Sequence, residues 1–253
     1  MRFGYVLDYR GEILPEIEFC KAYFDFIEVT IQPDSLKTID SALPDFKKAL
    51  GDLETTGHIH WEMTEFSDIV KNIRALRALG CEKIVMHPFK TMTPQENIKV
   101  FNEITDVLNE EGMSLLIENT LTAPYHSSKT LAFLLENIPG SGLALDVGHA
   151  NKLSELDGFL NILKSEIKHV HLHDNAGQID HLFFEDQNKL DGILDRIAST
   201  GYDGMVLLET FSIARDGENI PQDLSQTKKL HLEQLEKIKA RKNQAALEKE
   251  RQT

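Results

Sequence analysis

The sequence predicts an α/β chain closed into a (β/α)8 TIM barrel, and three observations carry that prediction. Apolar, β-rich segments alternate with amphipathic helical stretches eight times along the chain. No G-x-G-x-x-G or Walker loop marks a doubly wound nucleotide-binding sheet. At 253 residues and 41% hydrophobic content, the chain can bury one barrel-sized core. A single domain over residues 1–253 is expected, its last stretch a charged helical tail from about Lys239.

Taken in order, the predicted strands are Phe3–Asp8, Phe24–Ile31, Leu53–Trp61, Lys83–His87, Ser114–Thr120, Gly142–His149, Ile167–Asn175 and Gly204–Thr210. Helical spacing of apolar residues marks Ser67–Leu79, Pro94–Asn109, Ser127–Glu136, Glu155–Leu163 and Leu190–Ser199 between them. Pro94 and Ser127 stand where helices start, and Gly80 follows a helix end. The first unit is the weakest, because Asp8–Pro15 is polar and its helix short. In the final stretch from Leu224, the residues Leu230, Leu232, Leu235 and Ile238 give an apolar stripe fit to pack as the eighth helix. From Lys239 onward the chain is nearly all polar, as in a solvated tail.

Net charge is −14. That field opposes non-specific binding to nucleic acid or anionic lipid. No apolar run reaches the length of a membrane span and no signal-peptide pattern opens the chain, so a cytoplasmic location is expected. Cys20 and Cys81, the only two cysteines, lie far apart in helical contexts and read as small core residues.

The chemistry centres on Lys168-His-Val-His-Leu-His-Asp-Asn175. Period 2 puts Val170 and Leu172 on one face and His169, His171 and His173 on the other. Three imidazoles make poor apolar core but good metal or proton-transfer groups. Functional residues of such barrels gather at the C-terminal ends of the strands. There the third to eighth strands present His60, His87, Glu118, Asp146 with His149, His171 with His173, and Glu209. Carboxylates converging on one mouth repel unless a cation joins them, and carboxylate with imidazole suits Zn, Mn, Co or Fe. One ion is expected, with two or three possible.

Ile117-Glu118-Asn119-Thr120, Asp146-Val-Gly-His149, His171-Leu-His-Asp174 and Leu208-Glu209-Thr210, in this order, resemble the xylose isomerase-like TIM-barrel superfamily. That superfamily holds sugar and sugar-phosphate isomerases and epimerases as well as the endonuclease IV (AP endonuclease family 2) enzymes. The resemblance implies a shared ion on Glu118, Asp146, His171 and Glu209. It implies a further ion on His60 and His87 with Glu118, as in the endonuclease-like members, and a third near His149 and His181. At that third position the chain departs from the endonuclease pattern. Asp180 is adjacent to His181 rather than one residue apart, and Glu185-Asp-Gln187 replaces Gly-x-Gly. His58 shares parity with His60 but lies two residues deeper, and reads as barrel filling.

Glu28 reads as a substrate contact or a paired interior carboxylate, the structural role being favoured, and Asp174 as a partner that orients a histidine rather than a ligand. Trp61 stands beside the mouth as a sugar-stacking platform or rim packing. Lys90, Lys129, Lys152 and Arg215 fall in predicted βα loops, where any could meet a substrate anion.

Two activities follow from the resemblance. The first is a divalent-metal-dependent isomerase or epimerase of a small sugar, sugar phosphate or polyol, working through an enediolate. Glu118 and Glu209 would exchange the proton and His149 would hydrogen-bond the polarised oxygen. The alternative is an endonuclease IV-like phosphodiesterase acting on DNA, favoured by the surplus of histidines and opposed by the charge and by the altered third-ion motif. A non-catalytic metal-binding scaffold is a third reading. Nucleic acid and membrane are not expected as partners; a homo-oligomer is compatible.

Overall fold

A computed structural model describes residues 1–9, 14–176, 179–210, 212–215, 218–221 and 224–250. Eight parallel strands close a barrel. They are β1 (Arg2–Tyr9), β2 (Phe26–Ile31), β3 (Glu54–His58), β4 (Lys83–Met86), β5 (Ser114–Glu118), β6 (Gly142–Asp146) and β7 (Ile167–Leu172). After β8 (Asp174–Ala176) and β9 (Ile179–Leu182), which lie outside it, β10 (Met205–Leu208) completes the barrel between β7 and β1. The expected TIM barrel is the observed fold.

The period-2 pattern sorts the side chains as predicted for a strand buried on both faces. Ile27, Val29, Val170 and Leu172 join the large core between strands and helices. Their neighbours turn into the barrel, where Val6, Phe26, Met205 and Leu207 form one apolar plug and Val85, Leu116 and Ala144 another. Gly4 makes room for that plug, since a Cβ there would stand 2.3 Å from the Phe26 ring. Glu28, His169 and His171 share this interior, each almost without solvent exposure.

The helices are α1 (Leu14–Tyr23), α2 (Ile39–Leu50), α3 (Phe66–Ala78), α4 (Pro94–Glu110), α5 (Ser128–Asn137), α6 (Val147–Lys152), α7 (Leu156–Ile162), α8 (Gln187–Ser199) and α9 (Leu224–Glu250). Ile69, Ile73 and Leu76 of α3, and Leu190, Ile193, Leu194 and Ile197 of α8, are buried at the spacing of one helix face. Each such side chain contributes about 1.5–3 kcal/mol of hydrophobic stabilisation. Pro94 opens α4 behind Thr93, whose hydroxyl and Glu96 form a capping box. Gly80 follows α3 at φ 98°, a left-handed conformation that suits glycine.

On α9, Leu235 and Ile238 are buried as expected, together with His231 and Gln234. Gln234 accepts from the Phe184 amide at 2.8 Å. The helix runs on through the charged stretch beyond Lys239. No helix among the described residues is long and apolar enough to cross a membrane.

The third to eighth predicted strands each end one to three residues early, and the corrections to the sixth and seventh bear on the site. The sixth stops at Asp146, not His149, because the Asp146 carboxylate caps α6 by accepting the His149 amide at 2.7 Å. The seventh stops at Leu172. Asp174 instead pairs with Leu182 in a second sheet of order β12-β11-β9-β8, where β11 is Ser212–Arg215 and β12 is Glu218–Pro221. That sheet has no counterpart in the sequence reading. Its strands are three or four residues long, too short for alternation to show.

Candidate metal centre

Neighbouring strands bring the acidic residues together by register. Glu118 ends β5 opposite Ala144 of β6, Asp146 lies opposite His171 of β7, and His171 lies opposite Leu207, two residues before Glu209. One ligand atom from each of Glu118, Asp146, His171 and Glu209 lies within 4.8 Å of the others. His171 Nδ1 is 3.0 Å from Glu209 Oε2 and 3.3 Å from Glu118 Oε1. The side chain of Asn119 holds β5 to β6 beside this cluster, bonding both the amide and the carbonyl of Asp146.

Burial alone would push these carboxyls up, but the surrounding imidazoles prevail. His171 and His87 hold Glu118 well below the usual carboxylate range. His149 and His173 bring Asp146 down to about 2, and His171 and His181 lower Glu209. His171 shows the reciprocal effect. Burial disfavours its charged form, yet Glu118, Glu28 and Glu209 raise it well above the ordinary imidazole value.

A second group lies against the first. Ligand atoms of His149, His173 and His181 also fall within 4.8 Å of one another. His173 Nε2 is 3.0 Å from Asp146 Oδ2, and its Nδ1 is 3.2 Å from Asp180 Oδ1. Burial opposes the His173 cation, but Asp146 foremost, then Glu209 and Asp180, push it up to about 9. Gly148 is required for this packing, since a Cβ there would stand 2.0 Å from the His173 ring. His181 adopts φ 54°, rare for a residue with a side chain, and points Nδ1 at the Glu209 carbonyl at 3.2 Å.

The histidines of β3 and β4 divide differently from expectation. His58, assigned to barrel filling, reaches Glu118 Oε2 at 3.0 Å and groups with Glu118 and His171. His87 approaches the same oxygen at 3.0 Å. His60 instead accepts the Glu62 amide at 3.3 Å and stacks on Trp61, their ring centroids 5.7 Å apart. No three-ligand group among the described residues contains His60 or His87. For His60 the physical reason is that β3 ends at His58, so the deeper histidine, not the outer one, stands at the strand's mouth.

His60, Trp61, His87, Lys90 and His149 line a cleft of about 540 Å³, and a second recess of about 350 Å³ reaches Glu118 and Glu209. Trp61 is 55% exposed on the cleft wall with Lys90 Nζ 4.9 Å above its ring. Lys152 ends α6 and meets Asp180 at 3.6 Å. Lys129 lies in the first turn of α5 rather than a loop. Arg215 falls in β11, its side chain outside the described residues. Asp174 orients no histidine through its carboxylate, which pairs with Lys189; only its carbonyl faces His173, at 3.1 Å.

Sequence reasoning gave His58 and Asp180 no part in these groups, and placed His173 at the mouth without assigning it to an ion. The inward parity of His58 and His173 was a visible signal. Asp180 was not legible, because β9 and the sheet that places it were not.

The donor set fits a divalent cation. Glu209 Oε2 and both ring nitrogens of His171 are buried in ion-pair contacts, Nδ1 3.0 Å from Glu209 and Nε2 3.2 Å from Glu28, whose geometry makes no hydrogen bond. Buried polar atoms without hydrogen bonds, in a cluster with three carboxylates, are stabilised by a cation.

The fold and site define a barrel with a carboxylate–imidazole mouth. Residues 17–230 match the profile of the xylose isomerase-like TIM barrel, and the chain belongs to that family. An uncharacterized protein of Methanocaldococcus jannaschii is 30% identical over 84 residues, and the match spans about a third of this chain and 33% of that protein's length. Among solved structures, an L-ribulose 3-epimerase superimposes with a TM-score of 0.70 at 16% identity, over 97% of each chain. A D-psicose 3-epimerase crystallised with D-fructose gives 0.66 at 16% identity, over 93% of this chain and 97% of its own. Endonuclease IV from Thermus thermophilus gives 0.57 at 19% identity, over 82% of this chain and 91% of its own.

Proposed function

We propose that the protein is a divalent-metal-dependent isomerase or epimerase of a small sugar, sugar phosphate or related polyol. The observation that carries this reading is the placement of Glu118 and Glu209. They approach the same His171 nitrogen from strands on different sides of it, at 3.3 and 3.0 Å. In this reading Glu118, Asp146, His171 and Glu209 hold the cation. When bound, a divalent ion polarises a carbonyl and its adjacent hydroxyl, which acidifies the C–H between them.

The chain's own residues do the rest. One of Glu118 and Glu209, held anionic by the neighbouring imidazoles, takes the substrate proton, and the other, protonated from solvent before that step, delivers its proton to the opposite face. His149 is buried at the cleft wall with Nδ1 3.1 Å from the Asn119 carbonyl, and its Nε2, 3.7 Å from Asp180 Oδ2, is the nitrogen left to hydrogen-bond the substrate oxygen. Trp61 supplies an apolar face for the remainder of the sugar.

A phosphodiesterase of the endonuclease IV kind is the second reading, favoured by the His149–His173–His181 group and by His58 and His87 on Glu118. The net charge of −14 opposes it. The two readings are separated by assaying manganese- and zinc-loaded protein on a ketose panel and on abasic-site duplex DNA at physiological salt. Interconversion of a ketose without DNA cleavage supports the isomerase. Metal-dependent nicking of the DNA without sugar turnover overturns it.

A further inference from the structure

Beneath the carboxylate cluster, inside the barrel, lie two ionisable groups that the proposed chemistry leaves unused. Glu28 and His169 are 1% and 0% exposed. Glu28 Oε2 accepts from the Thr56 hydroxyl at 3.1 Å and stands 3.0 Å from His169 Nε2. Its other oxygen, Oε1, is 3.2 Å from His171 Nε2. Taking a carboxylate this far from water carries a desolvation penalty, and a leucine would fill similar volume without it. A buried acid here therefore calls for a role.

His171 supplies it. A neutral imidazole carries its proton on one nitrogen and offers a lone pair on the other, and the partner of the first nitrogen selects which. His171 Nε2 stands 3.2 Å from Glu28 Oε1, an ion-pair contact without hydrogen-bond geometry, whereas Nδ1 stands 3.3 and 3.0 Å from Glu118 and Glu209. If the proton sat on Nδ1, the lone pair of Nε2 would point at an anion and the cation site would meet an N–H.

We infer that Glu28 is a positioning residue: it keeps the His171 proton on Nε2, so that the Nδ1 lone pair faces the metal centre, and Thr56 and His169 fix Glu28 in turn. The arrangement spans three strands, with Glu28 on β2, Thr56 on β3 and both histidines on β7. Glu28 touches no substrate, since His171 and the carboxylate cluster lie between it and the cleft. This inference rests on the metal reading of Glu118, Asp146, His171 and Glu209. It adds that metal affinity is set partly from inside the barrel, by a residue on a strand that contributes no ligand.

The test uses the full chain and zinc alone, titrated against a competing chelator, with Glu28→Gln beside the wild type. Long-range ¹H–¹⁵N correlations of the histidine rings are recorded on the zinc-loaded wild type. The expected outcome is a His171 ring protonated at Nε2 and ligated through Nδ1, with zinc affinity in Glu28→Gln lowered about 10–100-fold. A proton on Nδ1, or equal affinity in the two proteins, overturns the inference while leaving the metal reading intact. A wild type that takes up no zinc overturns both. Should Glu28→Gln fail to fold, the wild-type spectrum decides alone.

Discussion

Asn119 grips the backbone of Asp146 at two points. Its Nδ2 donates to the Asp146 carbonyl at 2.9 Å, and its Oδ1 accepts the Asp146 amide at 2.8 Å. Both residues are fully buried, so neither bond can be replaced by bulk water. Replacing Asn119 by Leu strands a buried amide and a buried carbonyl, which should cost about 2–4 kcal/mol in urea denaturation of the metal-free protein. Because the same bonds fix where Asp146 stands, zinc affinity should fall with stability. A variant that loses stability and binds zinc as tightly as the wild type would show that the clamp does not position the carboxylate.

Gly148 and His173 share one volume. A methyl at Gly148 would enter the His173 ring, so Gly148→Ala should destabilise by about 1–3 kcal/mol through overpacking. His173→Ala on its own removes the 3.0 Å partner of Asp146 Oδ2 and leaves it His149 Nδ1 at 3.2 Å. The two effects overlap, and the double variant should be less destabilised than the sum of the singles by at least about 0.5 kcal/mol. Strict additivity in a double-mutant cycle would contradict the shared packing.

The barrel was legible because eight β–α alternations with period-2 and period-3.6 patterning admit few other folds. Glu118, Asp146, His171 and Glu209 stood out among the strand-end residues where such barrels place chemistry, and it was the family resemblance that singled them out as one ligand set. His58 and His60 show where this reasoning fails. Both have inward parity, and only the point at which β3 stops decides which one meets Glu118. Strand ends are set by capping and tertiary pairing, as Asp146 capping α6 illustrates, and the apolar pattern records neither. Asp180 was hidden more deeply, on a strand too short to carry a pattern.

His231 gives the fold a dependence on pH away from the metal centre. It is buried between α9 and the end of β10, with Nδ1 2.9 Å from the Thr227 carbonyl and Nε2 3.1 Å from the Thr210 hydroxyl. Burial brings it down to about 4. A depressed histidine binds fewer protons folded than unfolded, so its contribution is whole above about pH 6.5 and is lost as pH falls toward 4. The loss across that window is roughly 3 kcal/mol. Urea denaturation at pH 7 and at pH 4.5 should show a shallower decline for His231→Gln than for the wild type. Parallel declines would mean that other groups govern acid sensitivity in this window.

The cation assignment predicts that protein purified without chelator carries about one or more equivalents of Zn, Mn, Co or Fe by elemental analysis. Asp146→Ala should cut that occupancy sharply, because Asp146 lies with Glu118, His171 and Glu209 inside the 4.8 Å cluster. Full occupancy in Asp146→Ala would remove Asp146 from the ligand set.

Proton transfer from and to the substrate carbon by Glu118 and Glu209 is the central claim, and exchange with solvent measures it directly. A ketose turned over by the manganese-loaded protein in deuterated water should gain deuterium at the carbon beside its carbonyl, followed by proton NMR. Glu118→Gln and Glu209→Gln should each lower turnover by roughly 10²–10⁴-fold. In one of the two, exchange from the face served by the intact glutamate should persist. Product free of solvent deuterium, or normal turnover in both metal-loaded Gln variants, would contradict the two-carboxylate mechanism.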